Sequence, residues 1–188
     1  METVFQVFET VSQVFGFTSS YTTLWNLLGY IAFLAAIAGV LIEKPRLLLF
    51  FLASVAFGIY AYVFLGNMLF AILHGVIAIS AFLQFVKVRQ GYAKNILSVS
   101  VVAAWLLAFY GGYLITLVDA ACFAGLLFIA YGITVLSRPA AFLWIAAGGT
   151  LVAFYALKNE MWVLFFLNLF FTLASIYSYN EAKKVKTT

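Results

Sequence analysis

The chain consists largely of consecutive apolar runs, each about 20 residues long, the length of a helix that crosses a lipid bilayer. Polar and apolar residues hardly alternate within these runs, so they indicate helices and exclude the strands of a membrane barrel. Hydrophobic residues make up 66% of the 188 residues and charged residues only 9%. A soluble domain of this size would carry a largely apolar surface. We therefore predict an all-α integral membrane protein.

Glycine, proline and charged residues divide the apolar sequence into separate spans. We predict seven transmembrane helices, at residues 24–42, 46–65, 67–87, 95–110, 113–136, 139–157 and 160–180. The turns on one side of the membrane, at 65–67, 111–112 and 158–160, are very short. Such turns leave no room for a domain outside the membrane, so the function has to reside between the helices.

The distribution of basic residues tests the seven-span prediction independently. Nine of the ten Lys and Arg residues fall on one face of such a protein, and the opposite face holds only Lys158. The nine are Lys44, Arg46, Lys87, Arg89, Lys94, Arg138, Lys183, Lys184 and Lys186. Because basic loops stay in the cytoplasm, we predict a multi-pass protein of the inner or plasma membrane, with its N-terminus outside and its C-terminus in the cytoplasm. The net charge of +4 thus reflects topology and does not indicate a nucleic-acid partner.

Both ends of the sequence differ from the spans. In residues 1–23 apolar side chains recur at helical spacing, which predicts an amphipathic helix on the outer membrane surface or, alternatively, a lid packed over the bundle. These apolar side chains are Val4, Val7, Phe8, Val11, Val14 and Phe15. The segment lacks a basic start, so a cleaved signal peptide is not expected. Residues 181–188 are predicted to form a basic cytoplasmic tail.

Two parts of the sequence are similar to each other. Residues 45–85 align with residues 139–179, and each part begins with a proline and later places one polar residue among Leu and Phe. The aligned pairs are Pro45 with Pro139, Tyr60 or Tyr62 with Tyr155, Met68 with Met161 and, within one residue, His74 with Asn168. We predict two three-helix repeats, 24–87 and 113–180, joined by a linker helix at 95–110. A single linker helix keeps the repeats parallel, and transporters commonly bind their substrate between such repeats.

The segments that carry this similarity are GIYAYVFLGNMLFAILHGVIAISAFLQF and NEMWVLFFLNLFFTLASIYSY. They resemble the PnuC-type transporters of nicotinamide riboside. The plan of three helices, a linker and three helices is also similar to that of the sugar-transporting SWEET proteins. The resemblance implies facilitated uptake of a vitamin-like or nucleoside-like solute by alternating access, followed by trapping through phosphorylation by another enzyme. It also implies a homotrimer.

Three spans each carry one strongly polar residue within apolar sequence: His74, Asp119 and Asn168. At a helical rise of about 1.5 Å per residue, they lie roughly 10, 9 and 12 Å below the outer ends of their helices, in one layer. Five further side chains fall near this level: Tyr60, Trp105, Tyr110, Thr116 and Tyr155. We predict that these eight residues line a substrate-binding cavity open to the outside.

In this cavity Asp119 would accept hydrogen bonds from the substrate or offset a cationic ring, with His74 and Asn168 as further donors and acceptors. A purely structural alternative has Asp119 and His74 neutralising each other, Asn168 joining two helices and the aromatic residues forming an interfacial belt. The cost of a carboxylate in the membrane favours a function for Asp119.

Enzymatic chemistry and cofactors are not expected from this sequence. One His and one Cys do not assemble a metal site, and there is no nucleophile–base motif or phosphate-binding glycine loop. The expected partners are a small-molecule substrate and the lipid bilayer. Two other functions stay open: an ion or proton pathway in which Asp119 and His74 titrate, and a membrane scaffold or effector that transports nothing.

Overall fold

The computed structural model describes residues 20–134 and 139–184, which fold into seven α-helices without a β-strand in that part of the chain. The helices are α1 (Ser20–Leu41), α2 (Arg46–Val63), α3 (Met68–Phe85), α4 (Gln90–Tyr110), α5 (Leu117–Thr134), α6 (Ala141–Lys158) and α7 (Trp162–Lys184). By length and composition, α1 to α6 are apolar enough to cross a membrane. The prediction of an all-α membrane protein is thereby confirmed.

Two helices in the middle of the chain begin elsewhere than predicted. α4 begins at Gln90 and not at residue 95, because nothing in the polar segment between them interrupts the helical hydrogen bonds. α5 begins at Leu117 and not at residue 113. The chain turns at Gly111 and Gly112, where Gly112 adopts the left-handed conformation that glycine tolerates best, and residues 113–116 follow without helical structure.

The predicted segments at the two ends of the chain also overlap with helices. α1 begins at Ser20, so the last residues of the predicted surface helix 1–23 belong to the first span. The rest of that prediction, residues 1–19, lies outside the described residues. α7 continues to Lys184, so the predicted tail 181–188 starts as helix, and residues 185–188 are again outside the described part.

The helices pack side by side in a closed ring. α1 contacts α2, α2 contacts α3, α3 contacts α5, α5 contacts α6, α6 contacts α7, and α7 returns to α1. α4 lies outside this ring, packed mainly against α3 and barely touching α5. Fully buried side chains inside the ring include Phe50, Leu73, Ile133 and Ile145. One helix is therefore peripheral while six enclose the core.

The contact between α5 and α6 depends on glycines. A Cβ atom on Gly125 would lie 2.8 Å from the carbonyl oxygen of Gly148 and 2.9 Å from Cβ of Leu151. A Cβ atom on Gly132 would meet the side chain of Ile145 at 2.6 Å. The two backbones thus approach as closely as helices do through small residues in membranes.

One end of the ring is closed by an arginine. We call this the basic end; it is where α2, α4 and α6 begin. Arg46 donates from Nε to the carbonyl of Gly39 at 3.0 Å and from Nη2 to the carbonyl of Val40 at 3.3 Å. Its guanidinium also lies 5.1 Å from the ring centre of Phe142 on α6. Arg46 thereby satisfies the last carbonyls of α1 and links α2 to α6.

Candidate functional site

A small cavity of about 50 Å³ lies in the centre of the ring. Five helices line it, and its wall consists of aliphatic side chains and five phenylalanines: Phe33, Phe50, Phe57, Phe70 and Phe171. Three buried polar side chains complete the wall, Ser54 from α2, His74 from α3 and Asn168 from α7. A water molecule needs roughly 10–15 Å³ of such volume, so the cavity has room for a few waters.

His74 is held in one orientation by its own helix. Its Nδ1 lies 2.9 Å from the carbonyl of Phe70, so Nδ1 carries the proton and donates it. The imidazole ring packs against the rings of both Phe57 and Phe70, with centroid distances of 5.1 and 4.6 Å. Nε2 has no partner among the described residues, which leaves it as a hydrogen-bond acceptor at the cavity.

Asn168 and Ser54 also retain unused hydrogen-bonding capacity. Asn168 donates from Nδ2 to the carbonyl of Leu164 at 2.8 Å, and its Oδ1 bonds to nothing in residues 20–134 or 139–184. The hydroxyl of Ser54 makes no hydrogen bond to any described residue, although the residue is buried. Buried polar groups are usually paired. Here three side chains around a single cavity present polar atoms that have no partner among the described residues.

Ser54 is absent from the predicted site. It is the single serine in a span of mainly apolar and aromatic residues, and its sequence context RLLLFFLASVAFGIYAYV resembles an ordinary membrane helix. A signal was available in the pattern, because Phe50, Ser54 and Phe57 recur at the spacing of one helix face. The face itself was not identifiable without knowing which side α2 turns to the core.

Asp119 does not belong to this cavity, contrary to the prediction. It lies in the first turn of α5, where its Oδ2 accepts hydrogen bonds from the backbone N–H of Thr116 at 2.8 Å and of Ile115 at 3.3 Å. The Thr116 hydroxyl also donates to Oδ2 at 2.8 Å and accepts from the N–H of Asp119 at 3.1 Å. This reciprocal arrangement is a capping box.

The cap explains how a carboxylate is accommodated next to a membrane helix. The positive end of the helix dipole and several donors stabilise it. The predicted depth of Asp119 was wrong because the helical rise was counted from residue 113, whereas the helix starts only at Leu117. No hydrogen bond or ion pair joins Asp119 to His74 in the described residues, so the predicted alternative of mutual neutralisation is wrong as well.

The capping role of Thr116 gives a measurable expectation. Thr116→Val removes the cap hydroxyl at nearly constant shape and should lower the free energy of unfolding by about 1 kcal/mol. Thr150→Val is the matched control, since the Thr150 hydroxyl only bonds back to the carbonyl of Ala146 within α6. Chemical denaturation of both variants in the same detergent compares them. An equal free energy of unfolding for Thr116→Val and Thr150→Val would contradict a stabilising cap at Thr116.

Asp119 instead lines a second, open pocket of about 320 Å³ at the opposite end of the bundle. Asn67 and Tyr155 lie in its wall with Asp119. Asn67 caps α3 by accepting the N–H of Phe70 at 3.0 Å, and its Nδ2 donates to the Tyr155 hydroxyl at 2.9 Å. This hydrogen bond connects α3 to α6 across the ring. We call this space the outer pocket.

A stack of three rings separates the outer pocket from the central cavity. Tyr155 is nearly parallel to Phe70, with 6.4 Å between the ring centroids and 20° between the planes. Phe70 in turn packs on His74. Tyr155 therefore belongs to a partition between the two spaces. The prediction of a single cavity open to the outside is therefore wrong. The structure has a central cavity and an outer pocket, with aromatic rings between them.

The other three predicted aromatic residues do not line the cavity. Tyr60 is buried between α1 and α2, where its hydroxyl donates to Oδ1 of Asn26 at 2.8 Å. Trp105 stacks on Phe109, and Trp105 and Tyr110 are 47% and 81% exposed on the surface of α4. These three residues were predicted to line the site because their depth in the membrane matched that of the polar layer. α4 lies outside the ring, so its aromatic residues face the surroundings.

The described residues contain no group of three or more His, Cys, Asp or Glu side chains arranged to hold a metal ion. No family model, curated protein or solved structure matches the chain. The candidate site is thus defined by its own geometry: a central cavity with Ser54, His74 and Asn168, and an outer pocket with Asn67, Asp119 and Tyr155.

Proposed function

We propose that the protein is a membrane transporter that moves a small polar or aromatic metabolite by alternating access. The observation that carries this proposal is the central cavity. It is enclosed by helices from both halves of the ring, and three polar side chains face it without partners. Buried polar groups without partners are costly, and a solute that binds to them offsets this cost.

The helix arrangement supports two parallel repeats. α1–α2–α3 and α5–α6–α7 each pack in chain order, and the two sets meet at equivalent seams, α3 with α5 and α7 with α1. His74 is the seventh residue of α3, and Asn168 is the seventh residue of α7. Each bonds back to the carbonyl four residues earlier. A two-fold axis along the membrane normal would relate the two sets, with α4 as the linker and all seven helices as spans.

The cavity also indicates the class of solute. Its wall contains five phenylalanine rings and no charged side chain, which suits an aromatic or otherwise flat ring with a few hydrogen-bonding groups. A nucleoside-like or vitamin-like solute, as the resemblance to nicotinamide riboside transporters implies, has this chemistry. Binding sites for such molecules usually measure about 300–1,000 Å³, whereas the central cavity measures about 50 Å³. The two halves of the ring therefore have to separate before the solute can bind.

Both ends of the cavity are closed by groups that join the two halves. At the basic end, Arg46 of α2 reaches Phe142 of α6. At the opposite end, Asn67 of α3 bonds to Tyr155 of α6, with Phe70 below them. If the Arg46–Phe142 contact and the Asn67–Tyr155 hydrogen bond break one at a time, the cavity opens to one side of the membrane and then to the other, which is alternating access. No acidic residue lines the cavity, so we propose facilitated diffusion without ion coupling.

Uptake assays test this function. Cells expressing the protein are given labelled nicotinamide riboside, thiamine, riboflavin or a simple sugar. We expect saturable accumulation of one of these solutes above the level of cells with an empty vector, reduced by His74→Ala. Proton or ion flux without any organic solute would identify a channel in place of a transporter. Absence of both activities would identify a scaffold.

The proposed orientation places the basic end in the cytoplasm and the N-terminus outside. Cysteine labelling checks it, since the native Cys122 is fully buried and provides a silent background. Lys158→Cys should react with a membrane-impermeant maleimide in intact cells. Arg89→Cys should react only after the membrane is permeabilised. The reverse pattern would contradict the orientation.

A further inference from the structure

A groove of about 550 Å³ runs between α4 and the pair α5–α6, separate from both spaces described above. It exists because α4 packs against α3 and barely touches α5. Leu97 and Val101 line it from α4, and Leu127, Phe128, Tyr131 and Trp144 line it from the other side. Water is a poor occupant of such an apolar wall within the membrane, whereas a hydrocarbon chain matches it.

The polar side chains of the groove wall, Ser98, Tyr131 and Trp144, all lie in the half of the groove toward the basic end. Tyr131 is near the last residue of α5 and Trp144 near the first residue of α6, so both are at the basic end. Trp144 packs edge-on against Tyr131 at 5.3 Å. Neither the phenol O–H nor the indole N–H has a hydrogen-bond partner among the described residues. Both are therefore available to a polar group at the level of the lipid headgroups.

A positive charge lies at the same end. Lys94 is exposed and precedes Leu97 and Ser98 by three and four residues, which puts it on the groove face of α4 one turn nearer the basic end. Arg89 and Lys87 add further charge at this end. The half of the groove away from the basic end is thus apolar, whereas the other half carries hydrogen-bonding groups and a cation, which is the pattern of a phospholipid.

We propose that the groove binds one anionic phospholipid, with an acyl chain along Leu97, Val101 and Phe128 and the phosphate near Lys94, Tyr131 and Trp144. Basic pockets between membrane helices on the cytoplasmic side favour anionic headgroups. A second copy of the chain in the same groove would bring its own basic end next to Lys94. Like charges would then oppose the contact, whereas a phosphate neutralises Lys94. The bound lipid would fill the gap that separates α4 from α5.

Lipid binding to the purified full-length protein tests this site without any assay of transport. Phosphatidylglycerol or phosphatidylcholine with identical acyl chains is added in detergent, and retained lipid is counted by native mass spectrometry alongside the thermal midpoint. We expect one retained phosphatidylglycerol per chain and a higher midpoint than with phosphatidylcholine. Lys94→Gln should weaken the preference for phosphatidylglycerol about fivefold, the usual effect of one basic residue at an anionic membrane surface.

A second pair of variants examines the apolar part. Val101→Trp fills the groove and should abolish retention of the lipid. Val99→Trp is the matched control, since Val99 is 70% exposed and points away from the groove face, and it should retain the lipid. Equal retention of the two lipids by the unaltered protein, or retention by Val101→Trp, would overturn the proposal. Loss of an oligomer in Val101→Trp, without a change in lipid, would assign the groove to a second copy.

Discussion

Gly125→Leu is expected to leave little folded protein in the membrane. The substitution places side-chain atoms where the carbonyl oxygen of Gly148 and Cβ of Leu151 already lie, within 3 Å of the new Cβ. A backbone oxygen in a helix cannot move aside without displacing α6. Overpacking of a core typically costs about 1–3 kcal/mol and sometimes more, and the leucine adds three carbons beyond Cβ, so we expect the upper part of this range or beyond.

Gly75→Leu is the matched control for this prediction. Gly75 lies in the middle of α3, is exposed, and would meet nothing within 4 Å of a Cβ atom. The expected results are a monodisperse peak in fluorescence-detected size exclusion for Gly75→Leu and aggregated or missing protein for Gly125→Leu. Similar yield and thermal midpoint for the two variants would contradict close packing of α5 and α6.

Asn168→Leu and His74→Leu should reduce uptake strongly without weakening the fold. Each substitution leaves a substrate group without its hydrogen-bond partner, which costs about 1–3 kcal/mol of binding free energy. At a substrate concentration below saturation, this loss lowers uptake roughly 5-fold to 150-fold. The fold loses little, because each side chain bonds only to a carbonyl of its own helix. Replacing a buried polar group by an apolar one should keep or raise the thermal midpoint.

A structural role for these two residues predicts the opposite pattern. If His74 and Asn168 only held helices together, their substitution would lower the thermal midpoint, and uptake would fall in proportion to the folded protein that remains. Tyr110→Leu serves as the control, because Tyr110 projects from the peripheral helix α4. Its uptake should equal that of the unaltered protein. Normal uptake by the Asn168→Leu and His74→Leu variants would contradict solute binding in the central cavity.

Much of the fold was predictable because lipid imposes a simple pattern on a spanning helix. Each of the seven predicted spans starts or ends within two residues of an observed helix, and His74 and Asn168 stood out as polar residues in apolar surroundings. Asp119 was misplaced because a helix start inside an apolar segment depends on a cap. The Thr116–Asp119 pair at capping-box spacing was present in the sequence but was interpreted as buried polarity.

The remaining features depend on which way each helix faces, and the sequence of a membrane helix hides this. In a soluble helix the polar face marks the exposed side, whereas α4 is apolar on all sides from Val101 to Tyr110. Trp105 and Tyr110 therefore looked equivalent to residues of the cavity wall. Ser54 was missed for the same reason, since its hydroxyl stands out only once it is seen to line the same cavity as His74 and Asn168.

Protection of a cysteine inside the cavity tests most directly whether solute binds there. Ser54→Cys in a Cys122→Ala background replaces one buried hydroxyl by a thiol of similar size, and Lys158→Cys serves as the control outside the cavity. In proteoliposomes, the transported solute should slow the reaction of the Ser54→Cys thiol with N-ethylmaleimide in a saturable manner and leave the Lys158→Cys thiol unaffected. A reaction rate at Ser54→Cys that does not change at saturating solute would contradict binding in the central cavity.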